Sequence, residues 1–147
     1  MNQETTSRLT EKLSESLILR AESLPSATEI DAVSSEIGVP FSSDYRDFLL
    51  TFGAAMVGPY PIYGLRPADV MGDDSWSVLE MTKRFREENV PEAYGWIIVS
   101  TDQAGNPVGM DREGAIWIHD HDFGGIARLA KNFEEYLRVR CLGLKDI

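Results

Sequence analysis

His119 and His121, the only two histidines, stand in the run Trp117-Ile118-His119-Asp120-His121-Asp122. On a strand, residues i and i+2 point to the same face, so the two imidazoles would lie side by side. With Asp120 or Asp122 adding an oxygen, this is the beginning of a zinc site. A structural zinc takes four such groups. The chain has one cysteine and no third histidine, so two further carboxylates would have to come from elsewhere. The favoured reading is a strand end meeting solvent, and no metal site is assigned. A metal-dependent hydrolase using the two histidines is the least favoured alternative.

Nucleophilic catalysis needs a Ser, Thr or Cys beside a histidine that an acid orients, and the sequence has neither a G-x-S-x-G elbow nor a cysteine-centred catalytic signature. Cys141 falls on the apolar stripe of a C-terminal helix, the place of a small buried hydrophobe and not of a thiolate. Being alone, it also excludes an intrachain disulfide and a CxxC redox pair. The glycines at 53, 58 and 64, and at 105, 109 and 114, spell no phosphate cradle. Asp73-Asp74 and Glu87-Glu88 could do acid/base work, but in a chain with 24 acidic residues such pairs read as solvated faces. No catalytic residue and no cofactor is assigned, and the chain is expected not to be an enzyme.

Binding is what remains. Fourteen Lys plus Arg against 24 Asp plus Glu give a formal charge of −10, a field that repels nucleic-acid phosphates and anionic lipid and steers a cationic partner inward. Residues 126–147 hold 3 acids and 5 bases, so the acidity belongs to the body of the chain. Asp69, Asp73, Asp74 and Trp76 lie in a polar stretch without periodicity, and an aromatic among charges on a loop has the composition of an interface anchor. The alternative, that Trp76 folds back into the core, stays open. Together with Asp120 and Asp122 these are the candidate partner-binding residues.

The elements that must position them follow from periodicity. Leu9, Leu13 and Leu17, with Ile18 and Ala21, predict an amphipathic helix over 4–23 that Pro25 ends and that packs at the periphery. Ser26 with Glu29 has capping-box spacing, and Ile30, Val33 and Ile37 before Gly38 give a second helix. Ser42 or Ser43 caps a third, in which Tyr45, Phe48, Leu49 and Phe52 form a core stripe ended by Gly53. A short strand is expected around Ile62–Leu65, loop over 66–77, and a helix over 76–88 with Val78, Leu79, Thr82 and Phe85 inward, closed by Pro91 and Gly95. From Trp96 the period changes to that of strands. Trp96–Thr101, Val108–Asp111 and Ala115–His121 predict an antiparallel meander whose central member is Trp96–Thr101. Ile126–Ala130 is a strand or the start of the last helix, which spans 133–142 and buries Phe133, Tyr136, Leu137 and Cys141 behind an Asn132/Glu135 cap. Helices first, strands in the middle and a helix last make an α+β plan. At 147 residues, 43% hydrophobic and 26% charged, a single domain is expected, with its core in 26–142. No run of 18 apolar residues occurs, and Met1–Thr10 lacks a basic region followed by an apolar run, so a cytoplasmic location is expected.

Taken in order, these signals resemble the SUKH superfamily. Residues 28–52, T-E-I-D-A-V-S-S-E-I-G-V-P-F-S-S-D-Y-R-D-F-L-L-T-F, are similar to its opening helices and G-x-P link. Trp96–Asp102 with Gly105-Asn106 and Gly109-Met110-Asp111 resemble its central strand and hairpin. Ala115–Asp120 and Asn132–Leu137 resemble its next strand and closing helix. The likeness covers about 28–140; Pro107 interrupts the usual run after the hairpin glycine, and 54–77 matches weakly. The resemblance implies a mostly antiparallel sheet packed by N-terminal helices and a C-terminal helix. It also implies a non-enzymatic immunity protein that neutralises a cognate protein toxin with a basic, nuclease- or deaminase-like site, or alternatively a regulatory adaptor of the Smi/Knr type. Toxin contacts vary among relatives, so no binding residue is carried over.

Overall fold

Asn2 starts the chain's first helix: its side-chain oxygen accepts the Thr5 amide at 2.9 Å, and α1 runs Gln3–Leu13. The computed structural model describes residues 1–88, 90, 94–122 and 124–145. α1 stops ten residues before the expected end at 23 because polar side chains offer the backbone other partners. The Ser14 hydroxyl donates to the Glu11 carbonyl, Ser16 caps a 3₁₀ turn at Leu17–Leu19, and Arg20 and Ala21 then extend to bridge Ala55 and Ala68. Leu9 and Leu13 consequently join the main core, so α1 is not peripheral, whereas Leu17 is 90% exposed and Ile18 half exposed.

α2 (Ala27–Ile37) carries the expected capping box and ends at Gly38 with φ +82°. α3 (Ser43–Thr51) buries Tyr45, Phe48 and Leu49. Six strands follow in a single all-antiparallel sheet in which every strand neighbours the next in sequence: β1 (Ala55–Val57), β2 (Tyr60–Ile62), β3 (Ile97–Thr101), β4 (Pro107–Met110), β5 (Ile116–Asp120) and β6 (Gly125–Ala130). β1 was not anticipated, and β2 precedes the expected Ile62–Leu65. The turn Gly58-Pro59 folds the two into a hairpin with Ala55 opposite Ile62. α4 (Val78–Glu87), capped by Ser77, joins β2 to β3; Pro91, expected to close it, lies outside the described residues. Pro107 is the first residue of β4, where a missing N–H is tolerated. Residues 126–130 are strand and not helix. The last helix, α5, is α-helical over Phe133–Glu135 and π-helical over Tyr136–Cys141.

The main core cluster buries Phe48, Leu49, Phe52, Ile97, Val99, Ile116, Phe133 and Leu137, as their periodicity predicts, and Ala21, Ala54 and Ala68 form a small second cluster. Phe133 meets Tyr45 and Phe48 edge-on at 4.9 and 5.4 Å between ring centroids, the geometry aromatic quadrupoles favour. α1 is fastened to α5 by a polar bridge. Buried Thr5 donates to Glu134 at 2.6 Å and accepts from buried Arg138, whose guanidinium also pairs with Glu4 at 2.7 Å.

Candidate functional site

His119 sits within β5, opposite Ile126. His121 lies past the strand end, so the same-face relation the sequence suggested does not extend to it. Its ring Nδ1 and its backbone amide both engage the side-chain oxygen of buried Asn106, and its Nε2 lies 3.3 Å from Asp122. Asn106 is held in turn by Asp102, whose carboxylate accepts the Asn106 amide and side chain and the Ala104 amide. This network ties the β3–β4 turn to the β5–β6 turn. Among the described residues no group of three or more His, Cys, Asp and Glu could hold a metal ion. Burial pushes the Cys141 thiol up to about 12, the reverse of what a nucleophile needs. Asp111 spends its oxygens on the Glu113 and Ala115 amides and the Trp117 indole.

The stretch 66–76 is built differently. Bridging of Ala21 to Ala68, with the Asp69 amide donating to the Arg20 carbonyl, lays it against 17–24. At its far end the Val78 amide donates to the Gly64 carbonyl and Ser77 caps α4. Between these anchors are two 3₁₀ turns, Asp69–Met71 and Asp74–Trp76. Asp73 caps the second: its carboxylate accepts the Ser75 hydroxyl and, at 3.0 Å, the Ser75 amide. These bonds, the hydroxyl first, hold the Asp73 carboxyl below the usual range, so the cap keeps its charge. Trp76 divides between the two expectations for it. Its ring lies 6.5 Å from that of buried Tyr63, yet the residue is 38% exposed.

Three depressions are lined by this stretch. An open groove of about 670 Å³ runs between Leu17, Arg20, Leu24 and Asp69. A polar dip of about 240 Å³ shares Glu22 and Asp69 with it and adds Arg66 and Asp74. An apolar cleft of about 230 Å³ is walled by Met56, Pro61, Val70, Met71 and Trp76. Asp69, Asp73, Asp74 and Trp76 are therefore brought together on one surface. Asp120 and Asp122 are not. They flank the β5–β6 turn, where Asp120 accepts the Asp122 amide, three to four strand spacings from β2 and β1, roughly 14–19 Å. Sequence reasoning missed Leu17 and Glu22 because it continued α1 through them, and Leu24 because it lay between that helix and Pro25; the signal was the Ser14-Glu15-Ser16 run, a poor helix interior and a good cap. Met56 and Pro61 were missed with β1.

The family model described as SUKH_5, SMI1-KNR4 cell-wall, matches residues 4–142. A crystal structure of a protein from Pseudomonas syringae pv. tomato superposes with a TM-score of 0.77 at 14% identity, covering 97% of this chain and 99% of that one. At that identity the likeness shows a shared fold. No curated protein matches the sequence. No helix among the described residues is long and apolar enough to cross a membrane. The chain belongs to the SMI1-KNR4 family, and its helices around a six-stranded antiparallel sheet are the α+β architecture its sequence predicts.

Proposed function

From membership of the SMI1-KNR4 family we propose that this chain is an immunity protein, which binds a cognate toxin with a basic substrate cleft and blocks it by occupancy. The observation that carries the reading is the surface at 66–76. There a partly exposed indole shares one stretch with Asp69, Asp73 and Asp74, on two 3₁₀ turns of which Asp73 caps the second, in a chain of net charge −10. Fixed carboxylates imitate the phosphates a nuclease-like cleft is built to receive, and a half-exposed aromatic supplies the desolvated centre of a contact. Such action needs no bond-making by this chain, and works in the cytoplasm beside the toxin's targets.

The test is to read the neighbouring reading frames for a secreted protein with a C-terminal toxin domain and to co-express that domain with this chain. Restored growth and a stoichiometric complex on size-exclusion chromatography are expected. A toxin that kills equally with and without this chain, and elutes separately from it, would refute the proposal. The cell-wall description of the matching family favours one second reading, a regulatory adaptor, for which several housekeeping partners of weak affinity are expected in place of a single tight one.

A further inference from the structure

Among the described residues the exposed large apolar side chains are unevenly placed. Leu50, Tyr94, Ile126 and Val139 are scattered on separate elements, whereas Leu17, Ile18, Leu24, Val70 and Trp76 lie on the two segments that the Ala21–Ala68 bridge brings together. Solitary surface apolars are ordinary, but apolars gathered around clefts mark a contact. The cleft beside Trp76, about 230 Å³, is below the ~300–1,000 Å³ of small-molecule sites. It has room for one large side chain. Two of its walls are the flexible thioethers of Met56 and Met71, which adapt to irregular shapes.

Charge selects the occupant. Glu22 and Asp69 line the groove, Asp69 and Asp74 line the polar dip, and Asp73 caps the turn that carries Trp76 into the apolar cleft. The two cations there are turned to partners within the protein: Arg66 pairs through Nη2 with Glu29 at 2.6 Å while its Nη1 is buried without a hydrogen bond, and Arg20 donates to the Thr51 carbonyl and lies over the Phe52 ring. A nucleic acid or an anionic membrane would be repelled. A second copy seated by a two-fold axis would oppose the same carboxylates to one another.

Resting on the reading above, we propose that residues 17–24 and 56–76 form one continuous docking surface for a cationic segment of the partner protein, which inserts a single large apolar side chain, flanked by Lys or Arg, into the cleft beside Trp76. The flanking cations meet Asp69, Asp73 and Asp74, while the groove past Leu17 and Leu24 receives the rest of the segment. The turn that carries Trp76 is already capped by Asp73, which lowers the ordering cost left on binding.

The experiment uses the full chain labelled with ¹³C at the methionine methyls. The probes are the blocked peptide Lys-Arg-Leu-Lys-Arg, its Glu-Glu-Leu-Glu-Glu counterpart, and a version with Ser in place of Leu. In 10 mM salt the basic-apolar peptide is expected to shift the Met56 and Met71 methyls saturably and to leave buried Met81 and Met110 unmoved. The other two peptides should bind weakly or not at all. Asp69→Asn/Asp73→Asn/Asp74→Asn retains the capping oxygen and should weaken binding roughly five- to tenfold, about twofold for each carboxylate near 10 Å from a peptide cation. Val70→Ser and Trp76→Ala should each abolish the methionine shifts. Absence of a saturable shift, or equal shifts with the acidic peptide, overturns the inference. If a toxin complex forms and the Trp76→Ala and triple Asn variants bind it as tightly as the parent, this surface is refuted while the immunity reading survives. If no toxin binds but the peptide shifts occur as described, the surface stands and that reading fails.

Discussion

Trp96 lies flat against β4 at the one residue that lets it, and replacing Gly109 with Ala should therefore destabilise the protein. A Cβ at 109 would stand 2.4 Å from Trp96 Cε3, 2.6 Å from Cδ2 and 2.8 Å from Cβ. Carbons pack at about 3.5–4.0 Å, so the indole must withdraw by roughly 1 Å. Trp96 is 6% exposed and part of the main core, where overpacking costs about 1–3 kcal/mol. Ala in place of Gly returns about 0.5–1 kcal/mol through a stiffer unfolded chain. The net loss of about 1–2 kcal/mol corresponds to a Tm lower by about 2–8 °C for a domain of this length. The measurement is urea denaturation at constant m, repeated in a Trp96→Leu background that removes the two ring contacts and keeps the Cβ contact at 2.8 Å. There Gly109→Ala should cost almost nothing, the remaining Cβ contact being offset by the stiffer unfolded chain, a coupling of about 1–2 kcal/mol. An equal loss in both backgrounds, or none in the parent, refutes the packing argument. The result bears on the binding surface as well. α4 is tied to this region by Arg86, which donates to the Trp96 carbonyl, and by Thr82, which accepts the Ile98 amide. The N-terminal end of α4 is where Trp76 and the cleft begin.

Three more outcomes are expected. The Cys141 thiol, pushed up to about 12 by burial from an ordinary value of 9.0, should resist iodoacetamide at pH 8 until denaturant is added. Above pH 9 the unfolded chain releases this proton while the native one holds it, so stability falls as pH rises towards 12. The slope is about 1.4 kcal/mol per pH unit, which Cys141→Ala should remove in alkaline urea titrations, leaving the separate loss from Tyr45 and Tyr136, also raised by burial. Thr5→Val deletes the hydroxyl that donates to Glu134 and accepts from Arg138, and should cost about 1–3 kcal/mol by leaving buried polar groups unpaired; an unchanged denaturation midpoint would show that α1 is held by Leu9 and Leu13 alone. Asp120→Asn/Asp122→Asn should leave peptide binding as in the parent, and a weakening equal to that of the Asp69, Asp73 and Asp74 triple variant would place the contact at the β5–β6 turn instead.

Where a segment's local preference and its burial agree, the fold was legible. α2 and α3 show this: the Ser26/Glu29 box and the apolar stripe through Tyr45, Phe48 and Leu49 say the same thing about the same residues. So does β3, apolar on both faces and buried on both. The failures fall where the two disagree. Leu17 and Ile18 continue a helical stripe in pattern, but Ser14 and Ser16 divert the backbone, and the stripe ends up in solvent. β1 is three residues long, Ala-Met-Val, too short for periodicity to register, and gains its place from pairing with residues on either side that lie far apart in sequence.

The candidate surface was half legible for a related reason. Charge and an aromatic in an aperiodic stretch single out Asp69, Asp73, Asp74 and Trp76, since neither feature is needed to fill a core. Their apolar complement was invisible, because Met56, Pro61, Val70 and Met71 are what a core would also use, and only the three-dimensional arrangement shows that they wall a cleft open to solvent. Leu17 carries the same lesson in sharper form. A leucine 90% exposed in the 3₁₀ turn that follows α1, whose own leucines are buried, forgoes about 1.5–3 kcal/mol of possible burial. It stands on the segment that Ala21 stitches to the acidic turns, at the mouth of the groove. That position accounts for the exposure if a partner's apolar side chain completes its burial, which ties the outward leucine and the carboxylates of those turns to one contact. Leu17→Ser would then leave the free protein as stable as before and weaken only the bound state.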